Sequence, residues 1–91
     1  MCRNIKTLFN FNPPPTDEEV HEASLQFVRK ISGFQKPSKI NETAFHQAVE
    51  KVTADARSLL ETLVTSAEPH DRQVEAQRAR ARAEKRFATN T

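Results

Sequence analysis

The fold of this chain is limited first by the stretch Asn41 to Ser66. At helical period Phe45, Ala48, Val49, Val52, Ala56, Leu59, Leu60, Leu63 and Val64 fall on one stripe. Glu42, His46, Glu50, Lys51, Asp55, Arg57 and Glu61 fall largely elsewhere. The pattern predicts a long amphipathic helix over 41–66 with one buried face, and that face needs a partner from the rest of the 91 residues.

The partner lies upstream. Thr16 followed by Asp17, Glu18 and Glu19 has the form of a capping box, and the acids favour the positive end of a helix dipole. Val20, Ala23, Ser24, Phe27, Val28 and Ile31 form an inner stripe, Arg29 and Lys30 sit near the negative end, and Gly33 is placed for a left-handed stop. A first helix is therefore expected over 16–33. The link Phe34 to Ile40 contains Lys36, Pro37, Ser38 and Lys39. Asn41 is expected as the next N-cap, with Ile40 and Phe45 at the positions of a hydrophobic staple.

A short link makes the two helices antiparallel neighbours. The first rises about 24 Å and the second about 37 Å, so Leu59, Leu60, Leu63 and Val64 are left bare. Ile5, Leu8, Phe9 and Phe11, held off by the stiff spacer Pro13, Pro14 and Pro15, are the natural lid. Over so few residues the periodicity fits a helical turn and an extended arm equally. The proline run reads as a connector rather than a ligand for a proline-binding domain.

Glu68 before Pro69 ends the second helix, and Asp71 can cap a third over 71–87. Its apolar stripe is Ala76, Ala79, Ala83 and Phe87, with Val74 and Ala81 to one side, which gives strong helix propensity and little area to bury. Residues 88–91 should fray. The reading is one all-α domain over 1–91: an antiparallel two-helix hairpin closed by an N-terminal arm (1–15), plus a basic C-terminal third helix.

Composition narrows function mainly by exclusion. Apolar residues are 36% of the chain and charged residues 29%, a ratio that supports one modest core and no deep enclosed cavity. Residues 17–70 carry six Lys/Arg against nine Asp/Glu, whereas 71–91 carry six against three. Arg78, Arg80, Arg82, Lys85 and Arg86 are candidate phosphate or partner contacts, since arginine forks suit phosphate. No aromatic residue is interleaved among them to stack on bases. Lys36 and Lys39, close to a helix start, are candidate contacts of the same kind.

One cysteine excludes an internal disulfide, and with no Cys/His pair spacing no structural zinc site is expected. No apolar run reaches membrane-spanning length and the N-terminus lacks an unbroken apolar region, so a soluble, cytoplasmic protein is expected. Glu18 and His21, and the stripe Glu42, His46 and Glu50, have the spacing of helix-borne metal ligands. Their acids flank the apolar stripe, so they read as a solvated face and no metal or cofactor is expected. Cys2 is the one candidate reactive thiol: removal of Met1 would set it beside a free amine, but no base can be assigned to activate it.

Several segments together resemble a family of small bacterial proteins classed as a domain of unknown function, number 2277. They are Met-Cys-Arg-Asn-Ile-Lys-Thr-Leu-Phe-Asn-Phe at 1–11, Leu-Gln-Phe-Val-Arg-Lys-Ile-Ser-Gly at 25–33, Lys-Pro-Ser-Lys at 36–39, Leu-Val-Thr-Ser-Ala at 63–67 and the Arg/Ala run to Phe87. The departures are chiefly Asn12, Pro15 and the last polar residues. The resemblance implies a stand-alone intracellular protein whose arm and Lys-Pro-Ser-Lys link belong to the family pattern, and it brings no catalytic residues. The expectation is a non-enzymatic interaction module, self-associating through Ala76 to Phe87 or binding a protein partner. The alternatives are a nucleic-acid binder using the basic helix and an enzyme using Cys2.

Overall fold

The computed structural model describes residues 5–89, with side chains described through Lys85. It is mostly helical. In order it contains strand β1 (Phe11–Asn12), helix α1 (Asp17–Ser32), a 3-10 turn (Lys39–Asn41), helix α2 (Glu42–Thr62), strand β2 (His70–Asp71) and helix α3 (Arg72–Thr89).

Helix α1 starts and stops where its local chemistry directs. The Thr16 hydroxyl accepts from the Glu19 amide at 3.1 Å, and Glu19 Oε1 accepts from the Thr16 amide at 3.0 Å, which completes the capping box. At the other end Gly33 takes φ 77°, the left-handed region open to glycine, and its amide donates to the Arg29 carbonyl at 2.9 Å. Val20, Ser24 and Val28 form its buried stripe, and the Ser24 hydroxyl donates to the Val20 carbonyl at 2.8 Å.

The core lies between α1 and α2. Val28 packs with Phe45 and Val49, and Leu25, Ala48 and Val52 close around them. Asp17 is paired with Arg57, and His21 lies 3.9 Å from Glu50. Early positions of α1 thus meet late positions of α2, and late positions meet early ones. Among the described residues four apolar side chains are buried, Val20, Val28, Phe45 and Val49.

Four expectations change: the all-α class, the end of α2, the Asn41 cap and the Ile40–Phe45 staple. Of the two conformations open to the arm, its end takes the extended one: Phe11 pairs with His70 and Asn12 with Asp71 in a parallel two-stranded sheet, so the fold is not purely α. The sheet forms because Asn10 turns the chain. It adopts φ 64°, which asparagine tolerates, its Nδ2 donates to the Glu68 carbonyl at 3.1 Å, and its carbonyl accepts from the His70 amide at 2.7 Å.

Helix α2 ends at Thr62 rather than 66, because Leu63 is extended with ψ 141°. Leaving the helix there gives the chain the slack to reach β2. At the start of α2 the Asn41 side chain does not cap; its Nδ2 donates to Ser38 Oγ at 2.8 Å inside the 3-10 turn. That turn carries Ile40 outward, 91% exposed, so no staple to Phe45 is made.

The lid is partial. Leu8, Phe9 and Phe11 face Leu60 across an open groove of about 390 Å³, while Leu59, Leu63 and Val64 stay exposed. Helix α3 is also largely uncovered: among its described side chains only Arg72, Glu75 and Ala83 are half-buried. The Cα radius of gyration, 16.4 Å, exceeds the roughly 12 Å of a compact chain of this length.

Candidate functional site: the clasp at the base of helix α3

The densest polar cluster joins the arm, α1 and α3, and Arg72 is its centre. Its guanidinium forms a two-pronged pair with the Glu19 carboxylate, Nη1 to Oε2 at 2.8 Å and Nη2 to Oε1 at 3.0 Å. Its Nε donates to the Pro13 carbonyl at 2.8 Å, and its Cζ lies 5.7 Å from the Phe11 ring centroid, within cation–π range. One side chain therefore holds the proline spacer, the strand and the first turn of α1 to the first turn of α3.

Glu19 does two jobs with one carboxylate. It closes the capping box of α1 and it receives Arg72. Side-chain hydrogen bonds from Arg72, then the backbone bond from Thr16, lower its pKa from 4.5 to about 2, and the same pair raises that of Arg72.

His70 completes the cluster. Its ring lies 5.1 Å from that of Phe11, and its Nδ1 is 3.5 Å from Glu75 Oε1. Glu75 in turn receives Arg78 Nη1 at 3.3 Å, and Asp71 Oδ1 accepts from the Val74 amide at 3.0 Å to cap α3. Beside this cluster an open groove of about 500 Å³ runs between the arm and α3, bordered by Lys6, Leu8, Phe11, Ala76, Ala79 and Arg82.

The sequence-predicted contacts divide into two places. Arg78 is engaged by Glu75, whereas Arg80 and Arg82 are exposed with no ion-pair partner among the described residues; Lys85 is exposed too. The Arg86 side chain and all of Cys2 lie outside the described residues. Lys36 borders a different groove, of about 470 Å³, with Leu25, Arg29, Phe45 and His46, and Lys39 sits in the 3-10 turn. Both lie at the C-terminal end of α1, about 24 Å of helix from the Glu19 end where α3 begins. The two basic groups therefore do not meet at the base of α3.

Among the described residues no group of three or more His, Cys, Asp and Glu side chains is arranged to hold a metal ion. Nor is any described helix long and apolar enough to cross a membrane.

The clasp itself was missed in the sequence. Glu19 and Arg72 are 53 positions apart, beyond any periodicity, and the one hint was an arginine directly after the Asp71 cap.

Comparison with known families places the chain. The profile of a family described as uncharacterized conserved protein (DUF2277) matches residues 1–78, and the chain belongs to that family. The match takes in the arm, the clasp and the start of α3, and it stops before Arg80, Arg82 and Lys85. Searches of curated proteins and of solved structures each returned no match.

Proposed function

We propose that this member of the DUF2277 family is a non-enzymatic interaction module. In it an antiparallel helical hairpin, closed in part by the N-terminal arm, presents α3 to a protein partner in the cytoplasm. The observation that carries this reading is the contrast along α3: its first turn is fixed by the Arg72–Glu19–Pro13 clasp, while its remaining described length is almost wholly exposed.

An exposed 18-residue helix of alanine and arginine is marginal in water by itself, since helical stability comes mainly from packing an amphipathic face. A fixed base aims the element, and a partner supplies the packing. The titratable groups brought together support the same reading. Glu19–Arg72, Asp17–Arg57 and His70–Glu75 tie elements to one another beside open grooves.

The experiment is site-specific photo-cross-linking in cells of the full chain with a photoreactive residue at Ala79, and at Glu22 on α1 as the control. Saturable adducts with one polypeptide species at Ala79 and none at Glu22 support the module. An absence of polypeptide adducts at Ala79 overturns it.

A second reading has its own support. Arg80 and Arg82 extend from a fixed base as exposed cations without an ion-pair partner among the described residues, which suits phosphates. Fluorescence-anisotropy titration of mixed-sequence DNA and RNA then shows binding that falls steeply with salt. No binding at low salt removes this reading.

A further inference from the structure

The arm and α3 start from a common point, the clasp, where Arg72 lies over the Phe11 ring. Between them runs the open groove of about 500 Å³. Going outward from the clasp, the arm wall offers Phe11, Leu8 and then Lys6. The helix wall offers Arg72, Ala76, Ala79 and then Arg82, which follow one another at three- and four-residue steps on one face of α3. The groove is therefore apolar near the clasp and cationic further out.

Its charges do not cancel. Glu19 and Glu75 also border it, but each is already met within the chain, Glu19 by Arg72 and Glu75 by Arg78 and His70. Glu84, the other acid of α3, stands about 160° round the helix from Arg82 and does not line the groove. Lys6 and Arg82 are exposed, and neither has an ion-pair partner among the described residues. Two uncompensated cations remain, and they suit carboxylates.

The arm wall has backbone to offer as well. Residues 6–8 belong to no helix or strand, and among the described residues their amides and carbonyls take part in no hydrogen bond. An extended peptide can pair with such a segment as an added strand does. From Arg72 to Arg82 the helix rises about 15 Å, the length of about four or five extended residues. The Phe11 ring already lies against Arg72 and His70, so it is no free platform for a nucleotide base, and the apolar part of the groove suits a side chain instead.

We infer that the groove between the arm and α3 takes a short extended segment of a protein partner, with an apolar side chain on Leu8, Phe11, Ala76 and Ala79 and acidic side chains at Lys6 and Arg82. This rests on reading α3 as the element presented to a protein partner, and it names the chemistry of that partner.

The test is selection of short random peptides displayed on phage against the full-length chain, followed by fluorescence-anisotropy titration of an enriched peptide. The sequences recovered combine Asp or Glu with a large apolar residue. The peptide's affinity falls as salt is added, and it binds about tenfold more weakly to the double variant Lys6→Glu, Arg82→Glu. Lys36→Glu, in the groove at the other end of α1, leaves binding unchanged. Far-UV circular dichroism checks that the double variant remains helical. If it does not, Lys6→Ala with Arg82→Ala replaces it and gives a smaller loss in the same direction.

A selection that enriches no sequence, or only sequences without acids, overturns the inference. So does undiminished binding to the double variant, or a chain that selects no peptide and binds mixed-sequence single-stranded DNA through Lys6 and Arg82. Partner adducts at Ala79 in cells that persist in the double variant overturn the groove and leave the module standing. Acidic peptides held at Lys6 and Arg82 without any adduct at Ala79 in cells uphold the groove and overturn the module.

Discussion

Replacing Glu19 with Gln isolates the clasp, because glutamine at the third helical position still serves a capping box while the charge that meets Arg72 is gone. The Arg72 guanidinium, and then the Thr16 amide, hold the Glu19 carboxyl at about 2 in the folded chain, against its ordinary 4.5. A depressed folded pKa means that the unfolded chain binds more protons between those values. Stability is therefore complete above about pH 4.5 and is lost as pH falls towards 2.

The full shift overstates the contribution, since the Glu19 side chain is 34% exposed and solvent screens the pair. About 1 kcal/mol is the magnitude expected after that discount. For a domain of this size that lowers Tm by about 4–8 °C. The assay is urea unfolding of wild type and E19Q from pH 7 to pH 2 at one protein concentration, so that any association is held constant. The two stabilities should differ at pH 7 and converge towards pH 2. A gap that stays constant over the whole range, or no gap at pH 7, refutes the reasoning.

Three further outcomes follow from packing and backbone geometry. Phe45→Ala removes the largest buried side chain, 6% exposed, and should cost about 3–5 kcal/mol, enough by thermal melting to leave little folded chain at 37 °C. Gly33→Ala should cost about 1 kcal/mol from the left-handed backbone alone, because nothing lies within 4 Å of an added Cβ, and Gly33→Asn should cost less. Deleting residues 1–11 removes Leu8, Phe9, Phe11 and the pairing to His70, and should lower Tm; an unchanged melt would contradict the arm's structural role.

What could be read in the sequence was local chemistry and periodicity. The Thr16 capping box, the Gly33 stop and the buried positions Val20, Val28, Phe45 and Val49 were legible, because each is set by neighbours within a turn or two. The periodicity of α2 ran past its true end because Leu63 and Val64 continue an apolar stripe that the backbone has already left; Val64 is 93% exposed.

The arm's strand and the clasp were not legible. Both depend on closing a loop of more than 50 residues, and the residues concerned have no periodic signature. Phe27 and Leu59 looked like core for the opposite reason. Their stripe is real, but two helices cover only one side of it.

The most direct test of the account is hydrogen exchange along α3 in the full-length chain, followed with and without a bound partner polypeptide. The account predicts slow exchange at the base, where Asp71 caps the Val74 amide. Over residues 77–85 it predicts fast exchange in the chain alone and protection only where a partner polypeptide is bound. Protection over 77–85 that is already complete in the chain alone would contradict it, since α3 would then be packed without a partner.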